Sequence, residues 1–486
     1  MALDRRGIVK TLGYLTLLLG CAMLPPFLSA WYLKEQAVLE GFTMSVLTTF
    51  SAGAALLWAS RNHVPNLRVR DGIIVVAFGW LIASAVGALP YVTTGVLPSF
   101  PDAWFESVSG FTTTGATVFS DVESLPRSLL MWRSLCQWLG GMGILVFVLS
   151  ILPAAGSSGH SLLFAETSGL SVQKLDTRHR GSAQKMYIIY TSLALAQIGL
   201  LYAGGLPLSD SAALSLGSIA SSGLNVHNDG LMHYNSAYVE TILACFMILS
   251  CVNFTLYYRA VRGEFQKIKN NTELRVFFGT LTACALLVSI SLWRSGVYGA
   301  AASVRYGAFQ TVSFMTTTGH VSTDLSAWPS FAKAILTLLS FVGGQAASTS
   351  GGIKIIRIII LLKLIRRSIT MRIHPRAVLG IKLEGQALDS AAVNGVIAFF
   401  FTYLALFAAG AFLLSFDIDD MGQAFLSSAA MLGNTGTAIG AQRVVTNYAH
   451  CAAPSKLLMC VLMLAGRLEI YTVMLLGSKA FWTHSR

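Results

Sequence analysis

The chain has 486 residues, of which 54% are hydrophobic and only 12% charged. A soluble domain carries about 25% charged residues, so this chain lacks the polar surface that a soluble protein of its size needs. The formal net charge of +12 sits in short basic clusters between apolar runs, which marks topology rather than nucleic-acid binding. Apolar runs of about 20 residues recur, as helices that cross a bilayer require. They do not alternate apolar and polar residues as a transmembrane β-barrel would. The expected fold class is an all-α, multi-spanning membrane protein.

At the N-terminus, Asp4-Arg5-Arg6, an apolar stretch and Leu28-Ser29-Ala30 imitate a secretory signal, and Gly20-Cys21 faintly imitates a lipoprotein site. A second apolar run, Gly41 to Ser60, follows at once. Residues 8–32 are therefore read as a first span and 38–60 as a second. Pro25-Pro26 is expected to end or kink the first.

A repeat then sets in. Thr112-Thr113-Thr114-Gly115 returns as Ser221-Ser222-Gly223, as Thr316-Thr317-Thr318-Gly319 and as Asn434-Thr435-Gly436. The glycines are separated by 108 (223 − 115), 96 (319 − 223) and 117 (436 − 319) residues. Each loop follows a short amphipathic run and lies between two long apolar runs. The spacing predicts four units of long span, short helix with loop, and long span, arranged around one axis. The expected divisions are 1–66 for the N-terminal pair, then 67–155, 156–265, 266–378 and 379–486 for units one to four. The spans are predicted near 70–94 and 127–152, 184–205 and 236–260, 274–296 and 330–366, and 390–415 and 455–482. The loops fall at 102–120, 209–228, 304–323 and 421–440.

The basic clusters Arg5/Arg6/Lys10, Arg61/Arg68/Arg70, Lys174/Arg178/Arg180/Lys185, Arg259/Arg262/Lys267/Lys269 and Arg366/Arg367/Arg372/Arg376/Lys382 all fall on one side of this topology, the cytoplasm. The connectors bearing the four loops fall on the other side and carry Asp121, Asp229, Asp324 and Asp417/Asp419/Asp420. Every loop thus enters the membrane from outside. Trp31, Trp58, Trp104, Trp132, Trp328 and Trp482 are expected at the interfaces. The long connector 153–183 is Gly/Ser-rich and then basic, and is read as a cytoplasmic loop that docks a partner.

The loop chemistry suits a narrow ion pathway. Non-helical backbone is tolerated at membrane depth only where it lines water or is packed in protein. Glycine lets a carbonyl turn inward because it has no Cβ, and Thr or Ser adds a hydroxyl acceptor. Stacked rings of carbonyls replace a cation's hydration shell. The short helix before each loop points its negative end toward the ion. The competing interpretation is four ordinary turns, since Ser, Thr and Gly are common turn residues. Four such loops in register count against it.

Two further stretches stand out. Gly343-Gly344-Gln345-Ala346-Ala347-Ser348-Thr349-Ser350-Gly351-Gly352 interrupts the second span of unit three, with apolar helix on both sides. It is expected to be a mobile gate beneath the filter; a rigid kink with close packing of small residues is the alternative. Gly466-Arg467-Leu468-Glu469 places charge inside the last span, and Lys354 follows the interrupted stretch. Intramembrane charge is costly and usually functional, so Arg467 is expected to face the pore as an electrostatic barrier. Residues two apart on a helix diverge, so Glu469 is expected to hold a neighbouring helix rather than Arg467. The seven cysteines lie mostly in apolar runs and are read as buried thiols. The nine histidines show no metal-ligand spacing. Asn270-Asn271-Thr272 matches a glycosylation sequon but falls on the cytoplasmic side.

Ser109 to Ala116, Gln137-Trp138-Leu139-Gly140-Gly141-Met142-Gly143, Met315 to Gly319, Gly343 through Lys354 and Gly466 to Glu469 together resemble the Trk/Ktr/HKT superfamily of cation transporters, most closely its TrkH/TrkG branch. The resemblance covers the whole chain. It implies four membrane-helix/pore-loop/membrane-helix units, one filter glycine per loop and a potassium ion in the filter, with no other cofactor. It also implies a homodimer in the bacterial inner membrane, with both termini cytoplasmic, and a cytosolic TrkA-type nucleotide-binding subunit. By the same resemblance Gly343–Gly352 is the gating loop, Arg467 the barrier, and Gly115 an indicator of potassium over sodium. Leu224 stands after the second filter glycine where the family usually has Phe, and is expected to alter packing there; Thr437-Ala438 after the fourth, where Pro or Gly is more usual, point to looser potassium-over-sodium selectivity; His320 after the third is a less common residue. The function read from the sequence is gated potassium uptake down its electrochemical gradient. A proton- or sodium-coupled symporter and a less selective sodium/potassium channel are the alternatives. An intramembrane enzyme would need paired Asp, a Ser/His pair or metal ligands within the spans, and none is seen.

Overall fold

The computed structural model describes residues 3–143, 180–376, 379–384, 386–440 and 444–482. These residues are mostly helical, with two minimal hairpins, Lys382–Leu383 with Gln386–Ala387 and Ala438–Ile439 with Val444–Val445. Among the described residues six helical stretches are long and apolar enough to cross a membrane.

The first is Arg5–Tyr32, made of Arg5–Ala22 and Leu24–Tyr32 joined at Met23. The interruption at Met23 falls just before Pro25 and Pro26, as expected. They fall in the first turn of the second segment, where a missing N–H costs nothing. Asp4 caps the helix by accepting the Gly7 amide at 2.9 Å, and pairs with His63 at 2.6 Å. The next helix, Gln36–Ala59, packs against it, and both lean on unit one. Glu35 accepts the Arg127 amide at 3.0 Å and so caps a helix of that unit.

Four units follow. Unit one has Val69–Thr93, the pore helix Phe100–Phe111 and Arg127–Gly141. Unit two has Arg180–Ala203, the pore helix Leu208–Ile219, and Ala237–Cys251 with Phe254–Val261. Unit three has Thr272–Arg294, the pore helix Ala300–Met315, and Ser330–Phe341 with Ile355–Ile373. Unit four has Ser390–Leu414, the pore helix Met421–Leu432, and Ala453–Arg467 with Tyr471–Gly477. Asn271, in the sequon, caps Thr272–Arg294 by accepting the Leu274 amide at 2.7 Å. One apolar cluster joins the N-terminal pair, unit one and unit four; a second joins units two and three.

The second spans differ from the sequence expectation. Only unit three was expected to be interrupted. Unit two's span turns by 90° between Cys251 and Phe254. Unit four's helix stops at Arg467, where Glu469 and Ile470 adopt φ of 55° and 61°. Unit one's helix stops at Gly141, with Gly143 at φ 81°. The remainder of its expected span and most of the connector 153–183, with Lys174 and Arg178, lie outside the described residues.

Two tryptophans are also corrected. Trp132 and Trp328 are buried rather than interfacial. Trp132 donates to the Gly87 carbonyl at 3.0 Å and meets Phe111 edge-on, which gives its N–H a partner inside the fold. Trp31 and Trp58 are exposed as expected. Among the cysteines, Cys136, Cys251, Cys451 and Cys460 are buried, Cys284 is half-buried, and Cys21 and Cys245 are exposed, against expectation.

Ion pairs tie adjacent units. Arg305 of the third pore helix grips Glu240 of unit two at 2.8 and 2.9 Å. Lys456 of unit four reaches Asp102 of the first pore helix at 2.6 Å. Among the described residues the most buried pair is Glu106–Arg133 within unit one, at 2.7 Å. Glu106 also accepts Thr117 Oγ1 at 2.9 Å and the Val118 amide at 3.0 Å, and Arg133 donates to the Asn225 carbonyl at 3.1 Å. Removing one partner of a buried pair strands the other charge and costs about 3–5 kcal/mol. Glu106→Gln is therefore expected to lower the thermal unfolding midpoint in detergent sharply, and Glu106→Gln/Arg133→Met to recover much of the loss. Tryptophan-fluorescence melts of the three proteins check this. Equal midpoints would show that the pair carries no structural weight.

Candidate functional site

Each pore helix ends in the same hydrogen-bonded stop. Thr113, Ser221, Thr317 and Asn434 have φ of 57°, 60°, 56° and 53°. The next residue in each loop donates its amide five residues back, Thr114 to Ser109, Ser222 to Gly217, Thr318 to Ser313 and Thr435 to Ala430, all at 2.9 Å. The left-handed residue donates three back, at 3.1 to 3.2 Å. Together these bonds form a Schellman stop, whose left-handed position is usually glycine and sometimes asparagine. Here only Asn434 conforms. A β-branched Thr at positive φ is an outlier, and such strain clusters at functional sites.

The glycine two residues on closes the loops into a ring. A Cβ on Gly115 would sit 2.6 Å from the Gly223 amide nitrogen, and one on Gly223 would sit 2.5 Å from the Thr318 carbonyl oxygen. A Cβ on Gly319 would overlap the Thr435 carbonyl oxygen, and one on Gly436 the Thr114 carbonyl oxygen. Unit one meets two, two meets three, three meets four, and four returns to one. The side chains of Thr112, Thr113, Thr114, Ser221, Ser222, Thr316, Thr317, Thr318, Asn434 and Thr435 are all buried around this ring. Thr112 and Thr114 hydroxyls bond at 2.8 Å, as do those of Thr316 and Thr318. Asn434 donates to Thr114 Oγ1 at 3.0 Å across the closing seam. The four pore-helix C-termini converge here, so their partial negative charge faces the ring.

On one side of the ring opens a cavity of about 620 Å³ with Gly115, Gly223 and Gly319 among its lining. Asp229 and Asp324 also line it. Hydrogen bonds from Ser326 hold the Asp324 carboxyl below the usual carboxylate range. Two side chains engage ring carbonyls. Asn225 donates to the Gly223 carbonyl at 2.9 Å, and Thr437 to the Gly319 carbonyl at 2.7 Å. Sequence reasoning noted Thr437 only as a departure and did not notice Asn225, although it lies two residues past a filter glycine. His320 is buried, and neither ring nitrogen has a hydrogen-bond partner. Leu224 is buried beside the second glycine.

On the other side lies the interrupted stretch of unit three. Gly343 to Gly352 forms a folded loop held at both ends, with Gly343 N–H donating to the Ile353 carbonyl at 3.0 Å. Gly344 N–H donates to Ser350 Oγ at 2.8 Å, and Ser348 Oγ to the Gln345 carbonyl at 2.6 Å. The loop is anchored in the bend of unit two: Gln345 N–H donates to the Cys251 carbonyl at 3.1 Å, Thr349 Oγ1 to the Ser250 carbonyl at 3.1 Å, and Phe254 N–H to the Ala347 carbonyl at 3.1 Å. Ala346 N–H donates to Glu273 at 2.8 Å. Two bonds reach the ring itself, Gly351 N–H to Thr317 Oγ1 at 2.8 Å and Ser221 Oγ to Thr349 Oγ1 at 2.7 Å. A Cβ on Gly351 would overlap the Gly433 carbonyl of unit four, while Gly352 turns the chain at φ 64°. Lys354 folds back onto the Ser350 carbonyl.

Arg467 spans from unit four beneath the ring. It donates to the Thr349 carbonyl at 2.7 Å and to the Gly140 and Gly141 carbonyls at 2.6 and 2.5 Å. Its guanidinium thus bridges units one, three and four. Glu469 pairs with Arg357 of unit three, not with Arg467.

A sequence profile described as TrkH, cation transport protein, matches residues 39–483. The chain is 33% identical over 482 residues to the Trk system potassium uptake protein TrkH of Salmonella typhimurium, covering 98% of this chain and 99% of that one. It is 34% identical over 484 residues to the protein of the same name from Halomonas elongata, covering 98% and 99%. The crystal structure of the potassium transporter TrkH from Vibrio parahaemolyticus superposes with a TM-score of 0.89 at 31% identity, over 99% of this chain and 100% of that one.

Proposed function

The chain belongs to the TrkH family of cation transport proteins, and from that premise we propose that it conducts potassium into the cell through the ring of four loops. The observation that carries this is the closed circuit of backbone contacts at Gly115, Gly223, Gly319 and Gly436. A ring of that kind offers carbonyl and hydroxyl oxygens in place of water around a dehydrated cation. The ion is potassium by analogy with the relatives' names. The cavity with its acidic residues faces outside, and both termini face the cytoplasm of a bacterial inner-membrane protein. A membrane potential supplies about 2.3 kcal/mol per charge per 100 mV, so inward accumulation needs no chemistry in this chain and no enzyme activity.

The loop from Gly343 to Gly352 is the gate, and the arrangement described is its closed form. The loop lies directly under the filter, hydrogen-bonded to it, and the fixed charge of Arg467 stands in the same layer. Opening requires the loop to leave Thr317, Ser250 and Arg467. A cytosolic nucleotide-binding partner of the TrkA type, acting on a homodimer, supplies the trigger. Membrane lipid surrounds the assembly, and nucleic acid has no role.

A second reading, a pore that also passes sodium, is favoured by one observation. Asn225 and Thr437 engage the Gly223 and Gly319 carbonyls, so two of the four outer oxygens are shared. A coupled symporter is less favoured, because Glu469, the acid it would use, is held by Arg357.

Two outcomes are expected from purified protein in liposomes. Potassium influx driven by a potassium gradient should exceed sodium influx at least tenfold, and Gly115→Ser should narrow that ratio, since a side chain there displaces Gly223. Equal ratios in both proteins would overturn the filter assignment. Arg467→Ala, or deletion of residues 345–350, should raise basal flux severalfold without any partner protein. Flux that stays at the resting level in both would make these elements a rigid kink.

A further inference from the structure

The histidines show no ligand spacing in the sequence, yet the fold gathers two of them. Glu123, from the loop after the first filter, meets His227 and His233, from the loop after the second. One ligand atom from each lies within 4.8 Å of the others, and among the described residues this is the one such group. His227 also lines the mouth cavity above the filter glycines.

His227 is held between two carboxylates. Its Nδ1 lies 3.0 Å from Glu123 Oε1, and its Nε2 lies 3.2 Å from Asp210 Oδ2. A neutral imidazole has one donor and one acceptor nitrogen. With Nε2–H given to Asp210, the Nδ1 lone pair faces a carboxylate oxygen, and either a second ring proton or a bound cation fills the space between them. Asp210 is itself fixed by the Tyr234 hydroxyl at 2.9 Å. Asn228 locks the two loops together, accepting the Val122 amide at 2.8 Å and donating to Asp121 at 2.7 Å.

We propose that Glu123, His227 and His233 form a transition-metal site at the rim of the mouth. Asp210 holds His227 from behind, in the carboxylate–histidine–metal arrangement that fixes ring orientation and strengthens the ligand. Two imidazoles and one carboxylate suit Zn²⁺, which binds such atoms at about 2.0–2.2 Å in tetrahedral geometry. That geometry sets ligand atoms roughly 3.3 Å apart, close to the separation already present between His227 and Glu123. Calcium and magnesium prefer six or more oxygens and are not served here. The His233 ring stacks on His227 with centroids 3.6 Å apart. It is exposed, so turning its ring toward the shared point gives up that stacking but moves no buried group. The fourth position is open to water. An occupant would place positive charge beside the approach to the filter.

Zinc binding to the full-length chain in nanodiscs, followed by titration calorimetry with Zn²⁺ alone, tests the site without any transport assay. The expected result is one tight site per chain, weakened at least tenfold in both Glu123→Gln and His233→Ala. Both residues are exposed, so both variants should retain the wild-type melting midpoint. Wild-type affinity in both variants, or no binding above empty nanodiscs, would overturn the proposal.

Discussion

Four glycines that touch the next loop's backbone are the constraint on which the remaining structure depends. A Cβ at any of them would meet the neighbouring loop, so all four loops must share one length and one exit angle from their helices. The common Schellman stop supplies that angle. Its left-handed residue would be easiest as glycine, but three loops use Thr or Ser. The strain, of order 1–3 kcal/mol per residue, is held in place by surrounding contacts and leaves hydroxyls where glycine would leave none. Thr317 and Ser221 use theirs toward the loop beneath. The repeat in the sequence is thus the trace of a ring that only four equivalent stops can close.

The same contacts make the ring and the interrupted loop one connected network. Gly351 donates to Thr317, Thr349 meets Ser221, and Arg467 joins the Thr349 carbonyl to the end of unit one's helix. An Arg at membrane depth is tolerated because exposed helix-end carbonyls receive it. Those carbonyls exist only because the second spans stop at Gly141 and in the interrupted stretch. Helix breaks, buried charge and the interrupted loop therefore follow from one another. A displacement of the loop would have to release hydrogen bonds to units two, three and four together, which favours two discrete arrangements over gradual bending.

The architecture and the four loops were legible because they are written in residue type: long apolar runs, and Thr/Ser-Gly at near-regular spacing. The break in unit three was legible for the same reason, through its glycines. The breaks in units two and four were not. Val252-Asn253 carries neither Gly nor Pro, and Glu469 and Ile470 reach positive φ with side chains that disfavour it. There the packing of neighbours overrides local propensity. Trp132 was misplaced because its partner carbonyl at Gly87 lies 45 positions away. Glu123, His227 and His233 belong to two different units, so no local spacing could announce them. The four Thr/Ser-Gly loops that meet in the ring were visible in the sequence, while Asn225 and the Thr437 bond to Gly319 depend on tertiary placement.

The central claim is that a monovalent cation is coordinated on the axis bounded by all four loops. Thallium(I), which scatters strongly and substitutes for potassium, tests it most directly through anomalous diffraction from crystals grown with thallium in place of potassium. The account expects anomalous density at the centre of the ring, between the levels of Thr112–Gly115 and Asn434–Gly436, and its loss on competition with potassium. Ordered density only elsewhere in the chain, with none within the ring, would contradict it.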